Sequence, residues 1–335
     1  MSPKETKANY PTKELIILAA PPDADQYYMD VSSDIFKFHI AYAKQILKHD
    51  DVLVFTGKKT YEKYVLALGE EHVILAEMHD IWMRDFSLSN PVSPVMFSYT
   101  SEGQGGGRKG QREADFVQDV LAKYMKRAGL SFQKSHLLND GGNFVDDGAG
   151  NVVVSRKFLR DNHLTEAQGM QAIKDMSGAK HIAFIESDEQ GGLEHADGVV
   201  AFIGTNTIVI NSYPSDPKYA QSLRRDLKRG LPSVTVHEII TPYDGSKIYD
   251  TKFGSACGLY TNMLVTPHRI YFPQFGISED KVALAQISQW TPKTIVPVMS
   301  GKVCHMGGGV RCMSWQLRGK NADVFRVYIT SLNSP

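Results

Sequence analysis

Hydrophobic and polar residues follow one another along this chain in a pattern that occurs five times. Each copy has an amphipathic helix, a short break that often contains glycine or proline, an apolar strand, and a polar segment rich in glycine or charge. The polar segments recur at intervals of roughly 50 to 60 residues, which is typical of a repeated α/β unit whose strands are buried by neighbouring units. The predicted helices span residues 61–68, 115–127, 165–176, 218–229 and 279–290, and the strands after them span residues 72–77, 131–138, 181–186, 234–241 and 294–299.

Further apolar runs complete this pattern. Repeats closed into a ring would bring all five polar segments to one axis, where their side chains would form one constellation. A doubly wound α/β sheet also alternates strands and helices, but the chain lacks the glycine-rich strand-to-helix turn and the Walker-type Gly-Lys-Ser/Thr sequence of nucleotide-binding sheets. The further predicted strands span residues 14–20, 52–55, 152–154, 199–203, 208–210 and 270–272, and a further helix spans residues 36–47.

Composition and charge limit the classes of protein to which this chain can belong. The 335 residues are 42% hydrophobic and 22% charged, which is enough apolar material for a large core without metals. Lysine plus arginine equals aspartate plus glutamate at 37 each, and this balance argues against a nucleic-acid groove or an anionic membrane surface. The N-terminus is polar and no run approaches the roughly 20 apolar residues of a membrane span. We therefore expect a cytoplasmic protein whose partner is neither nucleic acid nor membrane, and the oligomeric state stays open.

The three cysteines are candidate reactive groups. Cys257, Cys304 and Cys312 are too few and too unevenly spaced for a disulfide framework, so at least one is predicted to be free, and no spaced pair suggests a zinc site. Cys312 follows three glycines, whose backbone can approach a ligand closely and seat a thiolate. A small buried cysteine after a glycine turn is the commoner structural interpretation of such a residue.

Polar residues in the other segments suggest what a thiolate would react with. His195 lies two residues before Asp197, and on an extended segment the two side chains point to the same side. A histidine can protonate a leaving amine and then deprotonate water, while a carboxylate holds a cation. Trp82 and Asp85 suit a flat cation, because a carboxylate accepts two parallel N–H bonds from a guanidinium and an indole can lie against it. Core and surface roles for these residues remain alternatives.

Two asparagines are weaker candidates for substrate binding. Asn143 follows a Gly-Gly pair and Asn262 follows Tyr260 by two residues. Their amides can orient a substrate, although asparagine is also a frequent turn residue.

Taken in order, five of these segments resemble the guanidino-group-modifying enzymes, in the branch of agmatine deiminases and Porphyromonas-type peptidylarginine deiminases. The resemblance covers about residues 10 to 330. It implies a five-bladed pseudo-symmetric α/β propeller, the pentein fold, with a polar tail at residues 1–10 and a single catalytic domain at residues 11–332. It implies no cofactor and no metal. The segments are Trp82-Met-Arg-Asp85, Gly141-Gly-Asn143, His195-Ala-Asp197, Tyr260-Thr-Asn262 and Gly307-Gly-Gly-Val-Arg-Cys312.

The resemblance also implies a mechanism. Cys312 would attack the guanidinium carbon while Asp85 and Asp197 grip the nitrogens. His195 would protonate the departing ammonia and then activate water to release a ureido product from a covalent thiouronium. The chain departs from the family at Arg311, where histidine is common before the nucleophile, and a cation at this position favours the thiolate.

The resemblance leaves the substrate open between two branches. Peptidylarginine deiminases of this type clamp a substrate carboxylate with two arginines, and Arg108 and Arg112 stand 23 and 27 residues after Asp85 in a glycine-rich segment that we interpret as a loop at the pocket mouth. We therefore expect hydrolysis of arginine in a peptide or protein to citrulline and ammonia. The alternative is hydrolysis of agmatine to N-carbamoylputrescine and ammonia. A methylarginine hydrolase, an amidinotransferase and a guanidinium-binding protein without turnover are further alternatives.

Overall fold

The strands form five separate sheets in the part of the chain that the computed structural model describes, residues 13–188 and 192–332. The tail predicted for residues 1–10 lies outside the described residues. The strands are β1 (Leu15–Ala19), β2 (Asp51–Thr56), β3 (Val73–Leu75), β4 (Val95–Ser98), β5 (Gln133–Leu138), β6 (Val145–Asp146), β7 (Asn151–Ser155), β8 (His181–Ile185), β9 (Val200–Gly204), β10 (Thr207–Asn211), β11 (Thr235–Ile239), β12 (Leu264–Val265), β13 (Arg269–Gln274), β14 (Thr294–Met299) and β15 (Trp315–Leu317).

Helices connect these strands and cover the sheets, giving a mixed α/β architecture. The described helices are α1 (Ser32–Ile46), α2 (Lys58–Leu68), α3 (Met83–Phe86), α4 (Gly107–Ala128), α5 (Lys157–Asp161), α6 (Glu166–Ser177), α7 (Pro217–Gly230), α8 (Glu279–Trp290) and α9 (Gly319–Leu332). None of them is long and apolar enough to cross a membrane.

One connection recurs in the sheets. In β6-β7-β8, β9-β10-β11 and β12-β13-β14, a strand pairs antiparallel with the central strand, and a helical crossover then leads to a third strand that is parallel to the centre. In β15-β1-β2-β3, the C-terminal strand β15 takes the antiparallel place beside β1. In β4-β5 that place is reduced to one bridge between Ser89 and Val95. The repeated helix-and-strand unit is therefore confirmed.

The local reasons for these elements are visible at α6. Its first turn is closed by a capping box, in which Thr165 accepts the Gln168 amide and the Gln168 side chain accepts the Thr165 amide. The helix ends at Gly178, whose φ of 69° is left-handed. The next strand, β8, pairs parallel with β7, and all five residues of β7 are buried, as expected for a strand covered on both faces.

The helix α4 differs from its prediction. It begins at Gly107, about two turns before the predicted start at residue 115, because the glycine-rich segment before it is partly helical and not a loop. Gly110 is buried there, and a Cβ atom at this position would lie 2.9 Å from the Ser101 carbonyl oxygen. Glycine at position 110 therefore serves close packing of the helix against the preceding turn.

Candidate active site

A cavity of about 1050 Å³ lies among the polar segments that follow the strands. The four residues predicted to be catalytic, Cys312, His195, Asp85 and Asp197, all line it. Asp85 and Cys312 are 7% exposed, Asp197 is 1% exposed and His195 is partly buried. The four residues come from three distant segments of the chain. Trp82 and Asn262, which were predicted to bind substrate, also line the cavity.

The nucleophile candidate, Cys312, is a free thiol at the buried end of this cavity. Asn262 donates a hydrogen bond from Nδ2 to its Sγ atom over 3.0 Å, and the Asp197 carboxylate lies 3.9 Å from the same sulfur. Burial raises the pKa of the Cys312 thiol well above its ordinary value, and the carboxylates of Asp197 and Asp85 raise it further, against the opposing effects of Asn262 and Arg311. The thiol is therefore protonated while the cavity holds no cation.

Two of the three glycines before Cys312 are required by the local structure. Gly307 adopts a left-handed φ of 94°. A Cβ atom on Gly308 would lie 2.4 Å from the Trp82 ring and 2.9 Å from the Cys312 Cβ atom, so the indole packs directly on this backbone. Gly309 is different, because the nearest atom to a Cβ there would be Asn262 Oδ1 at 3.7 Å.

These two glycines offer a matched pair of variants. Gly308→Ala is expected to displace Trp82 or Cys312 and to lower kcat for ammonia release by about 100-fold, because small misplacements of reacting groups have effects of this size. Gly309→Ala is expected to stay within about threefold of the parent, since its methyl group makes only ordinary contacts. Steady-state ammonia release and a thermal melt of each variant test this, and similar activity in both variants would contradict the packing argument.

His195 lies between two carboxylates. Its Nε2 atom is 2.9 Å from Asp140 Oδ2, and its Nδ1 atom is 3.7 Å from Asp85 Oδ1. Burial lowers the pKa of His195, but the negative charges of Asp85 and Asp140 outweigh burial and raise the pKa to about 10. The imidazole is therefore protonated at neutral pH and can serve as an acid.

Asp140 was not predicted as a site residue. Its carboxylate is held by Thr100, whose amide and hydroxyl each donate over 2.8 Å, and it is 2% exposed. The signal in the sequence was its place in the same polar segment as Asn143, in front of two glycines. A carboxylate that pairs with a candidate catalytic histidine cannot be told from a turn aspartate by sequence position, because the two side chains come together only in the fold.

Asp85 faces the cavity from α3. Its Oδ1 atom accepts the Gly142 amide over 3.0 Å. Burial and the neighbouring carboxylates Asp140 and Asp197 together raise the pKa of Asp85 to about 7, against the opposing effects of His195 and the Gly142 amide. A Cβ atom on Gly142 would lie 2.5 Å from His195 Nδ1, so only glycine lets the second polar segment approach both side chains.

The departure at Arg311 has a structural explanation. Arg311 is buried, and its Nη1 atom lies 2.5 Å from Asp197 Oδ2 while its Nη2 atom donates to the Phe144 carbonyl over 2.9 Å. Arg311 does not line the cavity. It pairs with Asp197 on the side away from the cavity, and the same oxygen, Asp197 Oδ2, also lies near the sulfur of Cys312.

Asn143 has a different position from the one predicted. It is 3% exposed and lies outside the lining of the cavity. Its Oδ1 atom accepts the amides of Ser155 at 2.8 Å and Ala196 at 3.3 Å. The side chain therefore joins the second and third polar segments, and its contribution to the site is to hold their backbones together.

Arg108 and Arg112 were predicted to reach the pocket mouth from a loop, and the structure corrects this. Both lie in the first turns of α4, are exposed and do not line the cavity. The earlier start of the helix turns them toward solvent, and the cavity is contacted by Gly103, Gln104 and Gly105 from this segment.

The other two cysteines form a disulfide, a pairing that the sequence did not predict. Cys257 and Cys304 are joined, and the Ala256 amide donates to the Cys304 carbonyl over 2.9 Å. The bond ties a loop that lines the cavity to the turn that leads into the glycines before Cys312. Because disulfides persist mainly in oxidising compartments, the pair weighs against the cytoplasmic expectation.

Comparison with known proteins identifies the family. The family model for the Porphyromonas-type peptidyl-arginine deiminase matches residues 5–317. The chain belongs to this family. It is consequently a hydrolase acting on C–N bonds of linear amidines, in the group that modifies guanidino compounds.

Relatives of this family member include a protein of Shewanella baltica (strain OS185), provisionally named an agmatine deiminase, which is 25% identical over 288 residues covering 73% of this chain and 76% of that protein. The solved structure of the C. jejuni agmatine deiminase has a TM-score of 0.72 at 18% identity and covers 91% of this chain and 94% of that chain. The agmatine deiminase of Enterococcus faecalis has a TM-score of 0.73 at 18% identity, covering 91% and 93%. The two structures share the fold of this chain.

Proposed function

We propose that this chain is a deiminase of a small cationic guanidino amine, and that it hydrolyses agmatine to N-carbamoylputrescine and ammonia. One observation carries the proposal: among the described residues, the cavity is lined by seven aspartates and a single lysine, Lys252. Such a cavity attracts the second cation of agmatine and repels the carboxylate of a C-terminal arginine. The aspartates are Asp25, Asp80, Asp85, Asp188, Asp197, Asp216 and Asp250.

This proposal reverses the preference derived from the sequence. Arginine in a peptide was favoured because Arg108 and Arg112 were expected to bind a carboxylate, and neither residue lines the cavity. The names of the Shewanella, C. jejuni and Enterococcus proteins also support the small amine. An internal arginine of a peptide is the second candidate, because a cavity of about 1050 Å³ is large enough for one.

The first half of the reaction forms a covalent intermediate. The substrate guanidinium enters between Asp85 and Asp197, with Trp82 at its side. The arriving positive charge lowers the pKa of the Cys312 thiol, which releases its proton to solvent. The sulfur then bonds to the guanidinium carbon. His195 donates a proton to the departing nitrogen, the C–N bond breaks, and ammonia departs. The substrate carbon stays bonded to the sulfur as a thiouronium.

The second half of the reaction returns the enzyme. His195, now neutral, takes a proton from a water molecule that attacks the same carbon. The added hydroxyl gives its remaining proton to solvent, the C–S bond breaks, and the neutral ureido product leaves with the Cys312 thiolate regenerated. Asp140 holds the imidazole at Nε2 during both steps, which makes it a positioning residue.

We also propose that the five sheets are the five blades of a ring around this cavity. The support is that the cavity is lined from the first, third, fourth and fifth polar segments, while the second segment reaches the site through Asp140 and the Gly142 amide. A ring places such segments at one axis.

A substrate panel tests the function. Ammonia release is measured side by side on agmatine, free arginine, a peptide ending in arginine and a peptide with internal arginine. Agmatine is expected to have a kcat/KM at least about 100-fold above that of the peptide ending in arginine, because its second charge has the opposite sign. The Arg108→Ala/Arg112→Ala double variant is expected to change every value by less than about twofold. Preference for either peptide over agmatine would refute the proposal.

A further inference from the structure

The cavity is larger than agmatine requires. Pockets of roughly 300 to 1,000 Å³ hold drug-sized ligands, and this one measures about 1050 Å³. Its inner end is buried, since Asp197 is 1% exposed and Asp85 and Cys312 are 7% exposed. Its outer end includes Tyr27, which is 37% exposed, and the exposed Asp188. A guanidinium at the inner end therefore leaves the outer part of the cavity for the rest of a longer molecule.

One wall of the cavity continues outward from Trp82. The Asp80 carboxylate accepts the Trp82 amide at 3.4 Å and the Tyr28 hydroxyl at 2.8 Å. The Tyr28 ring meets the Tyr27 ring edge to face with centroids 5.0 Å apart. Burial raises the pKa of Tyr27, and the charge of the Asp250 carboxylate and a hydrogen bond to it raise this pKa further, so a negatively charged group lies beside this ring. The wall thus alternates carboxylates and aromatic rings as far as solvent.

The other wall continues outward from the third polar segment. Asn211 donates from Nδ2 to the Gly198 carbonyl at 2.6 Å and to the Tyr213 hydroxyl at 3.4 Å. The Tyr213 hydroxyl donates to Asp188 Oδ2 at 2.8 Å, and its ring meets the Tyr219 ring with centroids 4.7 Å apart. This wall also presents rings beside a carboxylate at its outer end.

From these two walls we infer that the outer part of the cavity binds additional ammonium groups, and that the preferred substrate class is a guanidino polyamine longer than agmatine. The inference rests on the proposed function. Ammonium groups bind to the faces of aromatic rings and to carboxylates, and both walls carry these two kinds of group at successive depths. A peptide would place mainly neutral backbone in this acidic space, so the observations favour the polyamine.

The test compares agmatine with agmatine extended at its amine by an aminopropyl group. We expect the extended compound to have a kcat/KM about tenfold higher, which is the effect of one or two additional cation contacts at a partly exposed site. A compound of the same length with a hydroxyl in place of the terminal amine separates charge from length. It is expected to behave like agmatine within about threefold, because only the ammonium is recognised.

Variants locate the contact. Asp188→Asn and Asp250→Asn are each expected to lower kcat/KM for the extended compound by about fivefold. For agmatine, each variant is expected to lower kcat/KM by less than about 2.2-fold, which is half of that effect on a logarithmic scale. Asp175→Asn is the matched control, because Asp175 is exposed on α6 and does not line the cavity. It is expected to change neither value.

The outcomes separate the two proposals. If agmatine is hydrolysed but the extended amine is no better than agmatine or than its hydroxyl analogue, the outer site is refuted and the proposed function stands. If the variants at Asp188 and Asp250 affect both amines equally, the outer site is refuted as well. If agmatine is not hydrolysed while a peptide with internal arginine is, both proposals fail.

Discussion

Cys312→Ser is expected to lower ammonia release from agmatine by at least about 10⁴-fold while the protein stays folded. Cys312 is the free thiol at the buried end of the cavity, and its sulfur is contacted by Asn262 and lies near Asp197. A serine hydroxyl fits the same space but ionises far less readily than a thiol. Single-turnover ammonia release and the melting temperature of the variant provide the measurement.

The disulfide cysteines give the control for this prediction. Cys257→Ala/Cys304→Ala removes the other two sulfur atoms and keeps the nucleophile, so measurable ammonia release should persist. A haloacetamidine, which is a cation, should inactivate the parent faster than neutral iodoacetamide, because a bound cation favours the thiolate. Activity of Cys312→Ser within tenfold of the parent would remove the assignment of the nucleophile.

Asp140→Asn is expected to lower kcat by about 100- to 1,000-fold and to move the alkaline limb of the pH–rate profile to lower pH. His195 must carry a proton to act as acid, and its pKa is raised to about 10. Activity is therefore present below this pKa and declines as the pH rises through it. Removing the Asp140 charge removes one group that raises this pKa, so burial, which lowers the pKa, is opposed only by the remaining charges of Asp85 and Asp197.

The shift of the limb separates an electrostatic role from a structural one. A variant that only disturbs packing would lower kcat at every pH and leave the limb in place. Thr100→Val, which removes one hydroxyl donor to the Asp140 carboxylate, is expected to lower kcat by only about tenfold and to leave the limb near its original position. An unchanged limb in Asp140→Asn would contradict the role given to this carboxylate.

The periodicity of hydrophobic residues predicted the bounds of helices and strands well where the residues on the apolar face are also the residues that the tertiary structure buries. The bounds of α8 and β14 agree with the predicted ranges 279–290 and 294–299. The glycine-rich segment before α4 was misinterpreted because glycine is common in loops, whereas Gly110 is needed for close packing. This error affected the choice of substrate, because α4 directs Arg108 and Arg112 toward solvent and leaves them unable to bind a substrate carboxylate in the cavity.

By itself, the sequence determined the order of helices and strands, the residues that end each unit, and the candidate nucleophile with its histidine and carboxylates. These depend on local periodicity and on residue type. Only the tertiary structure decided which carboxylate holds His195, how Arg311 pairs with Asp197, and what sign of charge lines the cavity. Contacts of this kind join segments distant in the chain, and no local pattern records them because they arise when the sheets pack together.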